Sequence, residues 1–348
     1  MKRYNSGFAH IGLIFLLFLT VVGVYVAYRK LHTDTSNNQT QDVQHPPKTP
    51  FSFTAAGDFG DGDEADAVLR AIAAVKSDFT LALGDLGYGG NGAEPAWCQF
   101  VKDRVGNDHP FELIAGNHDD GTSDGDITEY TKCLPNRIGN LTGNYGTEYS
   151  FDYNNLARFI LISPDINNYG HDYATGSEHL KWLSDSIDDA RKTGMDWVIV
   201  GMHKNCITPG VKTCEIGEDL INTLVDLKVD IVLQGHEHAY FRSKQLALNP
   251  ETCPAIIANT YSADCVTKEG NQLVKGDGTV IVISGAGGYT LRDVNFEDAE
   301  YNYFEAVNGS NSSGSYGFSQ FNVSADTLQA SFTPAVGSFT DAFTISTK

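Results

Sequence analysis

Five short blocks in this chain share one grammar: an apolar run, a glycine, then a residue whose side chain can hold a cation. They read TAAGDFG, LALGDLGYGG, FELIAGNHDD, WVIVGMHKN and VLQGHEHAYF. A short apolar run that breaks at glycine reads as a buried strand. Each block therefore delivers polar side chains from the carboxyl end of a strand. A strand that presents imidazoles in this way, as Val232 to Phe241 presents His236 and His238, is building a site rather than a core. Together the blocks supply Asp58, Asp85, Tyr88, Asn117, His118, His203, His236 and His238. These are enough oxygen and nitrogen donors for two metal ions.

The segments between the blocks say how the ends come together. EADAVLRAIAAVKS carries Ala67, Val68, Ile72 and Val75 at helical spacing. It lies between two strand-like runs, which makes a βαβ unit with parallel strands. Function in such units collects at the carboxyl ends of the strands, where Asp58 and Asp85 stand. A further helix is expected around Trp97 to Val105, and a third strand over Phe111 to Ala115. Asp119 to Tyr149 reads as a polar surface excursion held by Cys133. YSFDYNNLARFILIS reads as a hairpin turning at Asn154–Asn155. Helices are expected over Ser177 to Ala190 and Asp219 to Leu227, with strands at Trp197 to Val200 and Val229 to Leu233. After Tyr240 the chain is rich in strands, at 279–283, 316–323, 328–333 and 339–345. SGAGGYTL is another glycine-rich turn at a strand end, and Asn308 to Ser315 reads as a flexible loop. This order points to an α/β protein with two facing mixed sheets and helices outside, a four-layer αββα sandwich.

Charge and the first residues narrow the setting. Lys and Arg total 24 and Asp and Glu total 44, for a net charge of −20. Such a surface repels a polyanion, so a basic nucleic-acid groove is not expected. An anionic substrate would need a strong local positive centre, and bound cations would be one. Residues 11–28 contain no charge and are flanked by Lys2, Arg3, Arg29 and Lys30. They fit a signal anchor or a signal peptide within residues 1–30. Residues 31–50 lack an apolar pattern and form a flexible tether, and the catalytic domain is expected over 51–348. The bulk of the protein is then extracytoplasmic, anchored to the membrane or secreted. The six cysteines all lie downstream and suggest disulfides in that setting. Spacing favours Cys206–Cys214 and Cys253–Cys265, which leaves Cys98–Cys133, out of fifteen connectivities.

Taken singly, each site residue has an ordinary explanation: a turn aspartate, a left-handed asparagine, a loop histidine satisfied by the backbone, a tyrosine packed on a sheet. Two GD pairs at successive strand ends, with GNH and GHxH following, are hard to explain that way. Two carboxylates in one pocket repel without a cation, and a bridging carboxylate holds two metals about 3.5–4 Å apart. Imidazole with carboxylate suits Zn, Mn or Fe better than calcium. Phosphate ester hydrolysis uses what such a centre provides: an activated water as nucleophile, charge neutralisation, and a nearby histidine as acid.

GDFG, GDLGY, GNHD, GMH and GHEH resemble the motifs of the calcineurin-like metallophosphoesterase superfamily, and most closely those of the purple acid phosphatases. The tyrosine of GDLGY is the distinguishing mark. The resemblance covers roughly Phe51 to Ile345. It implies a two-sheet sandwich flanked by helices, and a binuclear centre of Fe(III) beside Fe(II), Zn(II) or Mn(II). It further implies that Asp58, Tyr88 and His238 hold the ferric ion, that Asn117, His203 and His236 hold the divalent ion, and that Asp85 bridges them. His118 would contact the phosphate and protonate the leaving group, with Asp119 orienting its ring. The implied activity is phosphate monoester hydrolysis by metal-bound hydroxide, with phosphodiesterase or nucleotide hydrolase chemistry as the alternative on the same centre. One departure stands out. A further histidine that plant-like members carry about ten residues past His203 is missing from GMHKNCITPGVKTCEIG, and Lys204 is a candidate for holding substrate charge instead.

Overall fold

The structure, a computed structural model, describes residues 47–122 and 124–348. The expected signal or anchor segment and most of the tether lie outside the described residues. Among the described residues, no helix is long and apolar enough to cross a membrane.

Three parallel strands open the domain: β1 (Phe51–Ala56), β2 (Phe79–Ala82) and β3 (Phe111–Leu113). The hairpin partners β4 (Thr142–Asn144), β5 (Glu148–Tyr153) and β6 (Ala157–Ile162) follow. Next come β7 (Trp197–Gly201), β8 (Ile231–Gln234) and β9 (Tyr240–Ser243). A small ribbon joins β10 (Gln245–Leu246) to β11 (Val266–Lys268). The remaining strands are β12 (Gln272–Val274), β13 (Val280–Ser284), β14 (Phe304–Asn308), β15 (Tyr316–Val323), β16 (Thr327–Val336) and β17 (Asp341–Ser346). Among the described residues they form one sheet in the order β12-β17-β16-β15-β1-β2-β3 and a second in the order β14-β9-β13-β8-β7-β6-β5-β4. Both sheets are mixed: the parallel run β1-β2-β3 forms one edge of the first, and β13-β8-β7-β6 is the parallel centre of the second.

Alternation along these strands sorts side chains into three apolar layers. Phe159 and Leu161 of β6, Ile199 of β7, Leu233 of β8 and Val282 of β13 join Phe53 and Leu81 between the sheets. Their neighbours Ile160, Val198, Val232 and Ile281 face the other way, against helices α4 (Glu178–Lys192) and α5 (Glu218–Asp226). On the far side of the first sheet, Ala56, Ala82 and Phe111 pack against α1 (Asp63–Val75), α2 (Glu94–Val105) and α3 (Ile127–Cys133). Three layers of contact between four layers of structure is the αββα sandwich that the element order implied. The inter-sheet layer is strongly aromatic: Phe53 lies 4.5 Å from Phe321, 5.1 Å from Phe159 and 5.4 Å from Phe79, ring centre to ring centre.

Two expectations need sharpening or correction. The excursion 119–149, tied down by Cys98–Cys133, contains regular structure the sequence did not show: β4 and α3, begun by Asp126, whose side chain accepts a hydrogen bond from Thr128 N. Only Ile127 and Tyr130 of that helix are buried, too few for a period to register in the sequence. The loop 308–315 is a closed turn, not a flexible one. Asn308 Nδ2 donates to Ser315 O at 2.8 Å, and Ser315 N donates back to Asn308 Oδ1 at 2.9 Å. The hairpin does turn at Asn154 and Asn155, both with left-handed backbone. The cysteines pair as Cys98–Cys133, Cys206–Cys214 and Cys253–Cys265.

Candidate metal centre

Parallel strands in both sheets place the carboxyl ends of β1, β2, β3, β7 and β8 at one rim, and every cation-binding residue of the five blocks follows one of those ends. The turns are tight. Asp58, Asp85, Tyr88 and His236 adopt positive φ, between 52° and 70°, although none is glycine. Side chains with a Cβ occupy that region at a cost of order 1–3 kcal/mol, tolerated where the surroundings enforce it. The enforcing contacts are visible. Leu83 N donates to Ala56 O and Asp58 N to Gly84 O, lacing the first two blocks together. Gly116 passes so close to Asp85 that a Cβ there would overlap the carboxylate and its amide.

The side chains converge. Tyr88 Oη lies 3.1 Å from Asp85 Oδ2, 3.3 Å from Asp58 Oδ1 and 3.4 Å from His238 Nε2. On the other side of Asp85, its Oδ1 is 3.2 Å from His203 Nε2, which is 3.1 Å from His236 Nδ1. Two groups of ligand atoms result, Asp58–Asp85–His238 and Asp85–His203–His236, and Asp85 belongs to both. Ligand atoms around one cation, each about 2.1 Å from it, stand roughly 3–3.5 Å apart.

The imidazoles are held ligand-side inward. His203 Nδ1 donates to Leu83 O at 2.7 Å and His238 Nδ1 to Thr290 O at 2.8 Å. A carbonyl can only accept, so each Nδ1 carries the proton and each Nε2 lone pair points into the site. His236 is turned over: its Nε2 meets Glu215 Oε1 at 2.9 Å and its Nδ1 faces inward. Two lone pairs, from His203 and His236, then confront each other and need a proton or a cation between them. Asn117 provides a second sign. Its Oδ1 is buried with no hydrogen-bond partner among the described residues, and an orphaned buried acceptor requires an explanation. A cation satisfies both features.

Charge tells the same story. Asp58, Asp85 and His203 are fully or almost fully buried. Burial, with Asp85 beside it, pushes Asp58 up to about 8 against the pull of His203. Burial acts on Asp85 too, but His203 outweighs it and holds that carboxyl below the usual range. His203 in turn is drawn up to about 9 by Asp85 despite its burial. His236 and His238 are pushed down by burial to about 3 and about 4. Without a cation Asp58 and His203 thus hold protons and Asp85 is ionised, while His236 and His238 stay neutral and able to ligate.

Around this core the structure departs from the sequence reading at two residues. Asp119 does not touch the His118 ring. It is buried beneath the site, where it accepts from Asp85 N, Leu86 N and Gly116 N at 2.7, 3.0 and 2.8 Å. It fixes the backbone that aims Asp85. The carboxylate on His118 is Asp124, whose Oδ2 is 2.6 Å from Nδ1. Lys204 is not free for substrate: its Nζ lies 2.6 Å from Asp165 and 2.9 Å from Glu215. His118 stands partly exposed at the mouth, its Nε2 3.9 Å from Asp85 Oδ2.

Sequence reasoning missed Asp124, Glu215 and Tyr289. Tyr289 stacks on Tyr88 at 3.8 Å and 10°, with its edge toward His238. Only Tyr289 left a signal, since SGAGGYTL repeats the grammar of an apolar run broken by glycine.

A family model described as calcineurin-like phosphoesterase matches residues 51–240. Probable purple acid phosphatase 20 of Arabidopsis thaliana is 25% identical over 229 residues, covering 62% of this chain and 52% of the relative. Fe(3+)-Zn(2+) purple acid phosphatase 12 of the same plant is 27% identical over 216 residues, covering 58% of this chain and 45% of the relative. The chain spans about half the length of the curated relatives it matches. A solved purple acid phosphatase from yellow lupin (Lupinus luteus) seeds superposes with a TM-score of 0.65 at 18% identity, covering 87% of this chain and 55% of that one, a likeness of fold.

Proposed function

We propose that this chain, which belongs to the calcineurin-like phosphoesterase family, hydrolyses phosphate monoesters at a centre of two cations bridged by Asp85. The observation that carries the reading is the shared carboxylate: Asp85 lies within ligand distance of two separate donor groups on its two sides. Asp58, Tyr88 and His238 would hold one cation, and Asn117, His203 and His236 the other. When bound, the pair supplies neutralisation of the phosphate charge and an activated water. A phenolate from Tyr88 favours iron at the first position. A relative named Fe(3+)-Zn(2+) purple acid phosphatase supports iron with zinc.

The chain's own residues do the rest. His118 is the proton donor to the leaving oxygen, and Asp124 on Nδ1 sets the ring. Asp119 holds the turn that aims Asp85. Three disulfides fit an oxidising, extracytoplasmic compartment.

Metal analysis of purified protein, together with a panel of mono- and diesters, tests this. We expect two cations bound through Asp85, counted as the difference from Asp85→Ala, and higher kcat/KM for monoesters. Two cations with a preference for diesters would overturn the monoester assignment alone. A single cation would overturn the shared bridge.

A further inference from the structure

We propose a third cation site, built from Glu148, His171 and His179, for a zinc-class divalent ion. Ligand atoms of these three residues all lie within 4.8 Å of one another. They come from three different pieces of backbone. Glu148 opens β5, His179 sits in the first turn of α4, and His171 follows β6, where its segment bridges back to Pro164. None of the three belongs to the centre described above.

The cluster is organised as a ligand set rather than as a finished hydrogen-bond network. Glu148 is oriented by Tyr173, whose hydroxyl donates to Oε1 at 2.6 Å, and its two oxygens lie 2.9 and 3.0 Å from His179 Nδ1. A hydroxyl on a carboxylate ligand is the kind of outer contact that fixes ligands in metal sites. His171 lies flat on His179, ring centres 3.9 Å apart and planes 10° from parallel. Its ring nitrogens have no hydrogen-bond partner among the described residues, so a lone pair is available. Two stacked imidazolium ions would repel, and burial holds His171 below its usual range, which keeps a neutral ligand form. The rings must splay to close on an ion, and both are only half-buried, which leaves room for that rotation.

The donor chemistry selects the ion. Two imidazoles and one carboxylate suit zinc and its neighbours better than calcium or magnesium. Such a three-residue set leaves a position for water. His171 also lines a cavity of about 580 Å³, with Asp165 and Glu215 among its other walls. Glu215 in turn contacts His236. An ion here would pin the 164–174 segment to β5 and α4 and so shape the space beside the catalytic centre.

The test counts cobalt(II) bound by the full chain after removal of labile cations with a chelator. The wild type is expected to take up one equivalent more than His171→Ala, and Asp85→Ala to retain that equivalent. Glu148→Gln keeps the hydrogen bond to Tyr173 and is expected to weaken the extra equivalent about 10-fold or more. Zinc should also protect His171 of the wild-type protein from carbethoxylation, read by peptide mass, a measurement that needs no variant. Equal uptake by the wild type and a well-folded His171→Ala, or no zinc protection of His171, would overturn the site and leave a hydrogen-bonded cluster only.

Discussion

His118 and Asp85 do different work, and single substitutions separate them. If His118 is a proton donor and no ligand, as proposed, His118→Ala should cut turnover by about 10²–10⁴-fold with cation content nearly unchanged by elemental analysis. Loss of both cations in that variant would make His118 a ligand. Asp85→Ala removes the bridge, and both cations with all activity should go; retained double occupancy would refute bridging. Asp124→Asn keeps the contact to His118 but not its charge, and should lower kcat by about 10-fold with KM little changed. The candidate ligands were legible because each follows an apolar run and a glycine in the same few residues. Their supports were not. Asp124 and Glu215 lie in loops with no period, and each becomes a contact only when distant strand ends meet. The positive φ of Asp58, Asp85, Tyr88 and His236 is equally invisible, because only a few per cent of non-glycine residues adopt it, even where Asp and His are enriched.

At the scale of elements, the central strands were readable as short continuous apolar runs, since a strand between two apolar layers must be apolar on both faces. What the pattern could not give was short or polar elements such as α3, and the ends of β3, which stops at Leu113 rather than Ala115. β3 also carries a buried acid outside the metal centre. Glu112 is 1% exposed, and burial pushes it up to about 7 against the amide of Arg137. A raised carboxyl stabilises the fold below its unfolded value near 4.5, and that contribution is lost as pH rises through about 7. Glu112→Gln should therefore raise stability at pH 8 by about 1–3 kcal/mol and change it little at pH 4, measured by urea melts at both. A larger gain at pH 4 would contradict the assignment. In the aromatic layer between the sheets, Phe53→Ala should cost about 3–5 kcal/mol, read in the same melts.

Across the whole molecule, the centre is where opposed charge requirements are reconciled. The chain carries −20 overall, and its two sheets press Asp58, Asp85 and Asp119 together with almost no access to water. Cations bound only by the folded state should stabilise it by roughly 4 kcal/mol per site at a thousandfold excess over Kd. Chelation should accordingly lower Tm by about 5–15 °C, and in Asp85→Ala the drop should be smaller by the share of the two sites that Asp85 joins. The most direct measurement is anomalous diffraction from crystals loaded with iron and zinc. At this centre the account predicts two peaks about 3.5–4 Å apart, one on each side of the Asp85 carboxylate, with Tyr88 on one of them only. A single peak, or two peaks that do not share Asp85, would contradict it.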